Sequence, residues 1–369
     1  MQLLNVSLYG KEGFWNVTIG GDKIISSVNS SRKDSRESLQ VDAGGALLLP
    51  GLINSHEHLD FNCYPRLGNR KYANYREWGE EIHHTCKQEI ENVKKIPSAL
   101  RVKWGVYKNL LNGFTTVLNH GERLFIEDEF ISVIQKYPAL HSVAFEKNWK
   151  RSLLNPLTRE MIVMHVGEGM DEVSIREIDE LIRANVFRKK IVAVHGVAMN
   201  IDQARHFAGL VWCPSSNYFL FGKTADLPSL AGKTSLLFGT DSTLTSTWNA
   251  WEQFREALSS GLASEEQLVD MLTGNAAKFW KLDEGRADLL LIRAGKKVFD
   301  SGVEDIMLVM HAGRIRLIDE SLFGKAGLNE SSYRPVHFGS HRKWVWGDLP
   351  GLVNEISSYY PGLEVPFEC

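Results

Sequence analysis

Leu49-Pro50-Gly51-Leu52-Ile53-Asn54-Ser55-His56-Glu57-His58 decides how the rest of this chain is read. An apolar run, Ala46 to Leu49, passes through Pro-Gly into Leu52-Ile53 and then presents two histidines one residue apart. On an extended strand alternate side chains share a face. His56 and His58 would therefore converge at the strand's end, as two ligands of one metal ion should. A lone His-x-His is common on protein surfaces, so its weight depends on further ligands at the ends of later strands.

Working outward, apolar runs alternate with helical stretches, the pattern of β-α units. The expected strands are Ala46–Asn54, Thr115–Asn119, His141–Phe145, Met161–His165, Ile191–His195, Leu210–Pro214 and Leu236–Asp241. Helices are expected over Glu77–Val93, Ile126–Tyr137, Ser174–Ala184, Ile201–Phe207, Trp248–Ser259, Ser264–Leu272 and Asn275–Trp280. That gives seven strands where a (β/α)8 barrel needs eight. About twenty residues separate the runs at His141 and Met161, too few for two helices and a strand. Either Lys147–Glu160 hides a short strand or one unit is missing. The expected fold is thus α/β, a (β/α)8 TIM-like barrel, distorted or short of one β-α unit.

Both ends of the chain read as short strands. Leu3–Tyr9, Phe14–Ile19 and Lys23–Val28 come early, followed by a polar loop from Ser30 to Ser38. Ala287–Ile292, Lys297–Phe299, Ile306–Met310 and Arg314–Ile318 come late. The expected division is a small β-sandwich domain from residues 1–45 and 284–325, a barrel over 46–283, and a C-terminal extension over 326–369. The extension carries Trp344, Trp346, Tyr359, Tyr360 and Phe367 with little periodicity. It is expected to pack on the barrel or on a neighbouring subunit, which leaves a homo-oligomer open.

Bulk properties exclude several classes. At 369 residues, with 43% hydrophobic and 24% charged residues, the chain suits a globular domain with an accessory piece. A net charge of −3 gives no electrostatic case for nucleic acid or an anionic membrane. No apolar run approaches a membrane span, and Met1-Gln2-Leu3-Leu4-Asn5 lacks the regions of a signal peptide. Cys63, Cys86, Cys213 and Cys369 are widely spaced, without Cys-x-x-Cys, which fits a reducing cytoplasm rather than a disulfide framework. The expected partner is a small molecule.

The chemistry collects at strand ends, where a β/α barrel keeps its active site. After His56 and His58 come His165, then Glu168 three residues on, His195, and Asp241 after Gly-Thr. The run Thr115–Asn119 also delivers His120. Singly, each has a bland reading: His120 as a hydrogen-bonded structural residue, Asp241 as a helix cap, Glu168 as a solvated loop residue. Jointly, four histidines and two carboxylates at one barrel mouth are costly unless paired or metal-bound. A divalent metal held by imidazoles and one carboxylate brings the pKa of bound water to about 7. A neighbouring carboxylate can move a proton to the leaving group, and a histidine beside the metal can hydrogen-bond the attacking hydroxide or the oxyanion that forms. Ligand count favours His56, His58, His165 and Asp241, leaving Glu168 and His195 for catalytic roles. Zinc is the expected metal, with iron or manganese compatible with the same donors.

These motifs resemble those of the amidohydrolase superfamily of metal-dependent hydrolases. The opening stretch is similar to its first-strand motif, His165-Val166-Gly167-Glu168 to the His-x-x-Glu after its fifth strand, and Gly239-Thr240-Asp241-Ser242 to its eighth-strand motif. His195 sits where the sixth-strand histidine would. Cys213-Pro214-Ser215-Ser216-Asn217 is similar to the Cys-Pro-x-Ser-Asn of the branch holding guanine, cytosine and S-adenosylhomocysteine deaminases and triazine hydrolases. Thr273-Gly274-Asn275-Ala276-Ala277-Lys278 and Gly285-Arg286-Ala287-Asp288-Leu289 resemble its closing helix and return to the β domain. The resemblance implies metal ligation by His56, His58, His165 and Asp241, proton transfer by Glu168, polarisation by His195, and Asp241 as the base toward water. No motif supplies the bridging lysine of binuclear members, which favours one metal. Glu57 departs from the small or hydroxyl residue usual between the two histidines. The reaction expected is hydrolytic deamination of a small amino-substituted heterocycle. The alternatives are hydrolysis of a cyclic or linear amide, or removal of halide or alkylamine from a ring.

The loop Leu59 to Gly79 mixes aromatics with cations: Phe61, Tyr64, Arg66, Arg70, Tyr72, Tyr75 and Trp78. One reading is a lid that stacks on a flat ring and holds an anionic group through Arg66 or Arg70. The other is a packed surface loop. Candidate substrate contacts are therefore His120, Arg66, Arg70, Trp78 and Asn217.

Overall fold

The computed structural model describes residues 1–30, 39–126, 130–155 and 160–368. The opening stretch does not form one strand. Leu47–Pro50 pairs antiparallel with Leu289–Ile292 in a ten-stranded sheet, whereas Leu52–Glu57 starts a separate parallel sheet. Gly51 is the junction. A Cβ there would lie 2.2 Å from Thr115 Oγ1, so only glycine lets the crossing chain sit this close.

Eight short parallel strands follow in chain order: β1 Leu52–Glu57, β2 Phe114–Asn119, β3 Ser132–Ile134, β4 Ala139–Leu140, β5 Ile162–Val166, β6 Ile191–His195, β7 Gly209–Trp212 and β8 Ser235–Phe238. They form two sheets, β1-β2-β3 and β4 through β8, not one continuous ring. The expected single barrel sheet is corrected to these two arcs. The break has a local cause: β3 and β4 are short and joined by residues 135–138 alone, with no helix between them. At the other side the arcs meet beyond β8, where Asp241 N donates to the His56 carbonyl at 3.1 Å.

The eighth strand lies outside Lys147–Glu160. Lys147–Glu160 carries a helix, Trp149–Leu154, among its described residues. The missing strand is β3, inside the expected helix Ile126–Tyr137, of which residues 127–129 lie outside the described residues. Val133 and Ile134 pair with Val117 and Leu118 of β2, and that neighbour decides a run too short for periodicity to settle. The strand expected over His141–Phe145 is Ala139–Leu140. The helix expected over Glu77–Val93 is two, α1 Tyr75–Thr85 and α2 Lys87–Lys94, separated at Cys86; α3 spans Ser98–Leu111.

The ten-stranded sheet draws on both ends of the chain. Gln2–Leu8, Phe14–Gly20 and Lys23–Asn29 stand on one side of Leu47–Pro50; Leu289–Ile292, Ile306–His311 and Arg314–Asp319 stand on the other. Lys297–Phe299 is not a strand; Val298–Asp300 is a 3-10 turn. The aromatic tail adds Tyr333–Phe338 and His341–Trp346 to the same sheet, then the helix Leu349–Tyr359. The loop expected over Ser30 to Ser38 falls almost wholly outside the described residues. Among the described residues no helix is long and apolar enough to cross a membrane, and Cys63, Cys86 and Cys213 are free thiols.

Candidate active site

The carboxyl ends of β1, β5, β6 and β8 bring His56, His58, His165, His195 and Asp241 to one point. Ligand atoms of His56, His58 and Asp241 lie within 4.8 Å of one another, and so do those of His56, His165 and His195. His56 Nε2 and His165 Nε2 are 3.2 Å apart. Asp241 Oδ1 is 3.8 Å from His56 Nε2 and 3.7 Å from His58 Nε2. His195 and Asp241 both take left-handed backbone conformations, φ 73° and 55°, uncommon for residues other than glycine. Such outliers concentrate at functional sites, where the surrounding structure enforces them.

His56 and His165 are held neutral by their burial. Burial, then the neighbouring histidines, push the pKa of His56 and His165 well below the ordinary range. His165 Nδ1 donates to the His141 carbonyl at 2.8 Å, which leaves Nε2 as the acceptor. His195 Nδ1 lies 2.9 Å from Asn217 Oδ1, which sets its Nε2 the same way. Burial opposes ionisation of Asp241. Nearby His195 and His58, with hydroxyl donors Ser216 at 2.8 Å and Thr245 at 3.0 Å, outweigh it and hold this carboxyl below its usual pKa. Unprotonated nitrogens facing one another beside a carboxylate are a poor arrangement for a protein core, and they suit a divalent cation. The donor set fits the zinc expected from the sequence.

Glu168 stands beside this cluster with the opposite electrostatics. Burial first, and Asp241 in addition, raise its carboxyl to about 7 against the opposing pull of His195, whose Nε2 is 3.6 Å away. Glu168 is kept in place by the start of α1. Tyr75 N donates to the Glu168 carbonyl at 3.1 Å, and Met170 N to the Ala73 carbonyl at 2.8 Å. Asn74, which caps α1 by accepting from Arg76 N and Glu77 N, forms the bridge with Gly169.

Glu57 faces away from the histidines and is fully buried. It accepts from Lys108 Nζ at 2.9 Å, Asn62 Nδ2 at 3.1 Å, Asn109 Nδ2 at 3.1 Å and its neighbour's His58 N at 3.1 Å. Thr240 Oγ1 is 3.0 Å from the same carboxylate. Glu57 thus ties β1 to α3 and to the residue before Asp241.

The remaining candidates separate. A cavity of about 630 Å³ opens in front of the cluster, lined at its inner end by His58, His141, His165, Glu168, His195 and Asp241. Trp78 lines it; Arg66 and Arg70 do not. Arg70 bonds Glu77 and Glu81 at 2.8 and 2.6 Å and lies over the Tyr72 ring, while Arg66 lies over Phe219 beside a different hollow. Their expected contact with substrate is not what this geometry offers, because α1 supplies Arg70 with two carboxylates one turn apart. His120 is buried behind His165, with Nε2 3.0 Å from the Leu140 carbonyl. Asn217 touches His195 and donates to Thr224. Three contributors were not singled out from sequence: Ser216, Thr245 and the carbonyl of His141. Ser216 lies inside the quoted Cys-Pro-Ser-Ser-Asn motif; the other two carry no sequence signal.

Neither a known family model nor a curated relative matches the chain. Solved structures do. The chain is similar to an adenosine deaminase from Xanthomonas campestris with bound zinc, at 15% identity and TM-score 0.69 over 98% of both chains. It is similar to 5-methylcytosine deaminase from Klebsiella pneumoniae at 15% identity and TM-score 0.62, over 85% of this chain and 97% of that one. It is also similar to N-isopropylammelide isopropylaminohydrolase from Burkholderia multivorans at 15% identity and TM-score 0.58, over 85% and 97%. The fold is therefore one shared with these two deaminases and this isopropylaminohydrolase.

Proposed function

We propose that this chain is a metal-dependent hydrolase of a C–N bond, and that its reaction is hydrolytic deamination of a small amino-substituted heterocycle. One observation carries the reading. His56, His58, His165 and Asp241 converge beside Glu168, with His56 and His165 kept neutral by burial, Asp241 held below its usual pKa and the Glu168 carboxyl raised to about 7. The deaminases among the structural neighbours support it. So does the zinc in one of them.

His56, His58, His165 and Asp241 would hold one divalent ion, zinc first. Such an ion, when bound, supplies hydroxide at neutral pH. Asp241, ionised and hydrogen-bonded by Ser216 and Thr245, is placed to take a proton from attacking water. Glu168 gives its proton to the ring nitrogen, the proton that Asp241 took from water passes to the departing amine, and Glu168 regains a proton from the added hydroxyl as the new carbonyl forms. His195, its Nδ1 fixed by Asn217, turns Nε2 toward the attacked carbon's substituents. We assign the chain a barrel that begins at Leu52, after the Gly51 junction, and lies between two end segments, with the two arcs as its opened form. A second reading, loss of an alkylamine in place of ammonia, is favoured by the cavity's apolar walls and by the isopropylaminohydrolase among the neighbours. A screen of amino- and alkylamino-heterocycles with zinc-loaded and metal-stripped protein tests both. Ammonia identifies the first, alkylamine the second. A new carboxylate from amides with silence on every ring would overturn both.

A further inference from the structure

The cavity is larger and less polar than a bare heterocycle requires. Its volume of about 630 Å³ lies within the ~300–1,000 Å³ typical of sites for drug-sized ligands. Beyond the histidine end its walls are Phe61, Tyr64, Trp78, Ile82, Phe145 and Leu244, and it reaches solvent at exposed Glu80, His83 and Lys94. Two of its aromatic walls have their polar atoms engaged away from it. Trp78 Nε1 donates to the Leu67 carbonyl at 2.7 Å, and Tyr75 Oη to Glu177 at 3.1 Å. A nucleobase read by its ring edges needs donors and acceptors along its length, because unmatched polar atoms are costly to bury. At Phe61, Trp78, Ile82, Phe145 and Leu244 this wall presents hydrocarbon and ring faces instead.

Gly79 is the second observation. It sits in the interior of α1, is buried, and lines the cavity. A helix-interior glycine is unfavourable relative to alanine, and here packing does not demand it. A Cβ at Gly79 would meet only the Phe145 ring, at 3.5 and 3.6 Å, which is ordinary contact. What the missing side chain leaves open is the cavity itself.

We propose that the cavity takes an apolar arm, aryl or medium-chain alkyl, attached to the group that is hydrolysed, and that Gly79 is the residue that admits it. The proposal deepens the hydrolase reading and rests on it for the placement of the reactive head. The test uses binding, so that silence in an ammonia assay leaves it standing. Acetohydroxamate and 5-phenylpentanohydroxamate share a metal-binding head and differ only in the arm. Each buried methylene is worth roughly fourfold in affinity. Titration calorimetry on the zinc-loaded protein should therefore show the long probe binding at least about fiftyfold tighter. In Gly79→Leu the ratio should fall below about fivefold, with Gly79→Ala between, and neither variant should unfold at a lower temperature than the parent. Equal affinity for the two probes, a ratio unchanged in Gly79→Leu, or no binding of the long probe would overturn the proposal.

Discussion

Replacing Lys108 with methionine tests the buried network behind the histidines. Glu57 and Lys108 are 0% and 1% exposed, and the ion pair between them is 2.9 Å long. Removing the ammonium leaves a carboxylate inside the protein with only amide, backbone and hydroxyl donors. Breaking a buried pair in this one-sided way costs about 3–5 kcal/mol, most of it the penalty of the stranded charge. That is a large part of the ~5–15 kcal/mol by which folded domains exceed their unfolded states. Glu57→Gln combined with Lys108→Met removes the stranded charge while keeping an acceptor for Asn109, and should recover at least about 2 kcal/mol of the loss. Urea unfolding of metal-stripped protein, followed by circular dichroism, measures all four corners of the cycle free of ligand stabilisation. Because Thr240 contacts Glu57 and precedes Asp241, Lys108→Met should also weaken metal binding. If Lys108→Met lies within about 1 kcal/mol of the parent, or the double variant is as unstable as the single one, the charge-stranding argument fails.

Three further outcomes follow from the same geometry. In metal-stripped protein Glu168 has a folded pKa raised from its ordinary 4.5 to about 7, so its contribution to stability is greatest below pH 4.5 and is lost as pH rises toward 7; Glu168→Gln should remove that slope from a series of urea titrations. Asn217→Ala removes the acceptor that orients His195 and should lower kcat/KM about 10–100-fold with metal content retained, whereas a merely structural role would lower the unfolding midpoint and leave kcat/KM nearly intact. Arg70→Met should leave KM within about twofold, since its guanidinium is engaged by Glu77 and Glu81; a tenfold rise would return Arg70 to the substrate site.

How much of this was legible depends on whether a residue acts where the chain places it or through a distant neighbour. His56, His58, His165, His195 and Asp241 each follow an apolar run, so alternation alone carries them to the same rim. Strand β3 was hidden because a short apolar run such as Ile131-Ser132-Val133-Ile134 fits helix or strand equally until Thr116–Leu118 pairs with it. The junction at Gly51 was invisible because both halves of Ala46–Asn54 are apolar and extended, and only the close approach of Thr115 separates them into two sheets. Arg70 looked available as a substrate cation. Its engagement could have been read from Glu77 and Glu81, which are four apart and share a face of α1. Ser216, Thr245 and the His141 carbonyl reach Asp241 and His165 across the fold, and no local pattern announces them.

Ammonia release measured alongside bound metal, on the parent and on Glu168→Gln, tests the central claim most directly. Zinc-loaded parent should release ammonia from an amino-substituted heterocycle, stripped protein should not, and Glu168→Gln should keep about one metal per chain while losing roughly 100–10,000-fold in rate. Full turnover by Glu168→Gln, or undiminished turnover by metal-stripped parent, would contradict that claim.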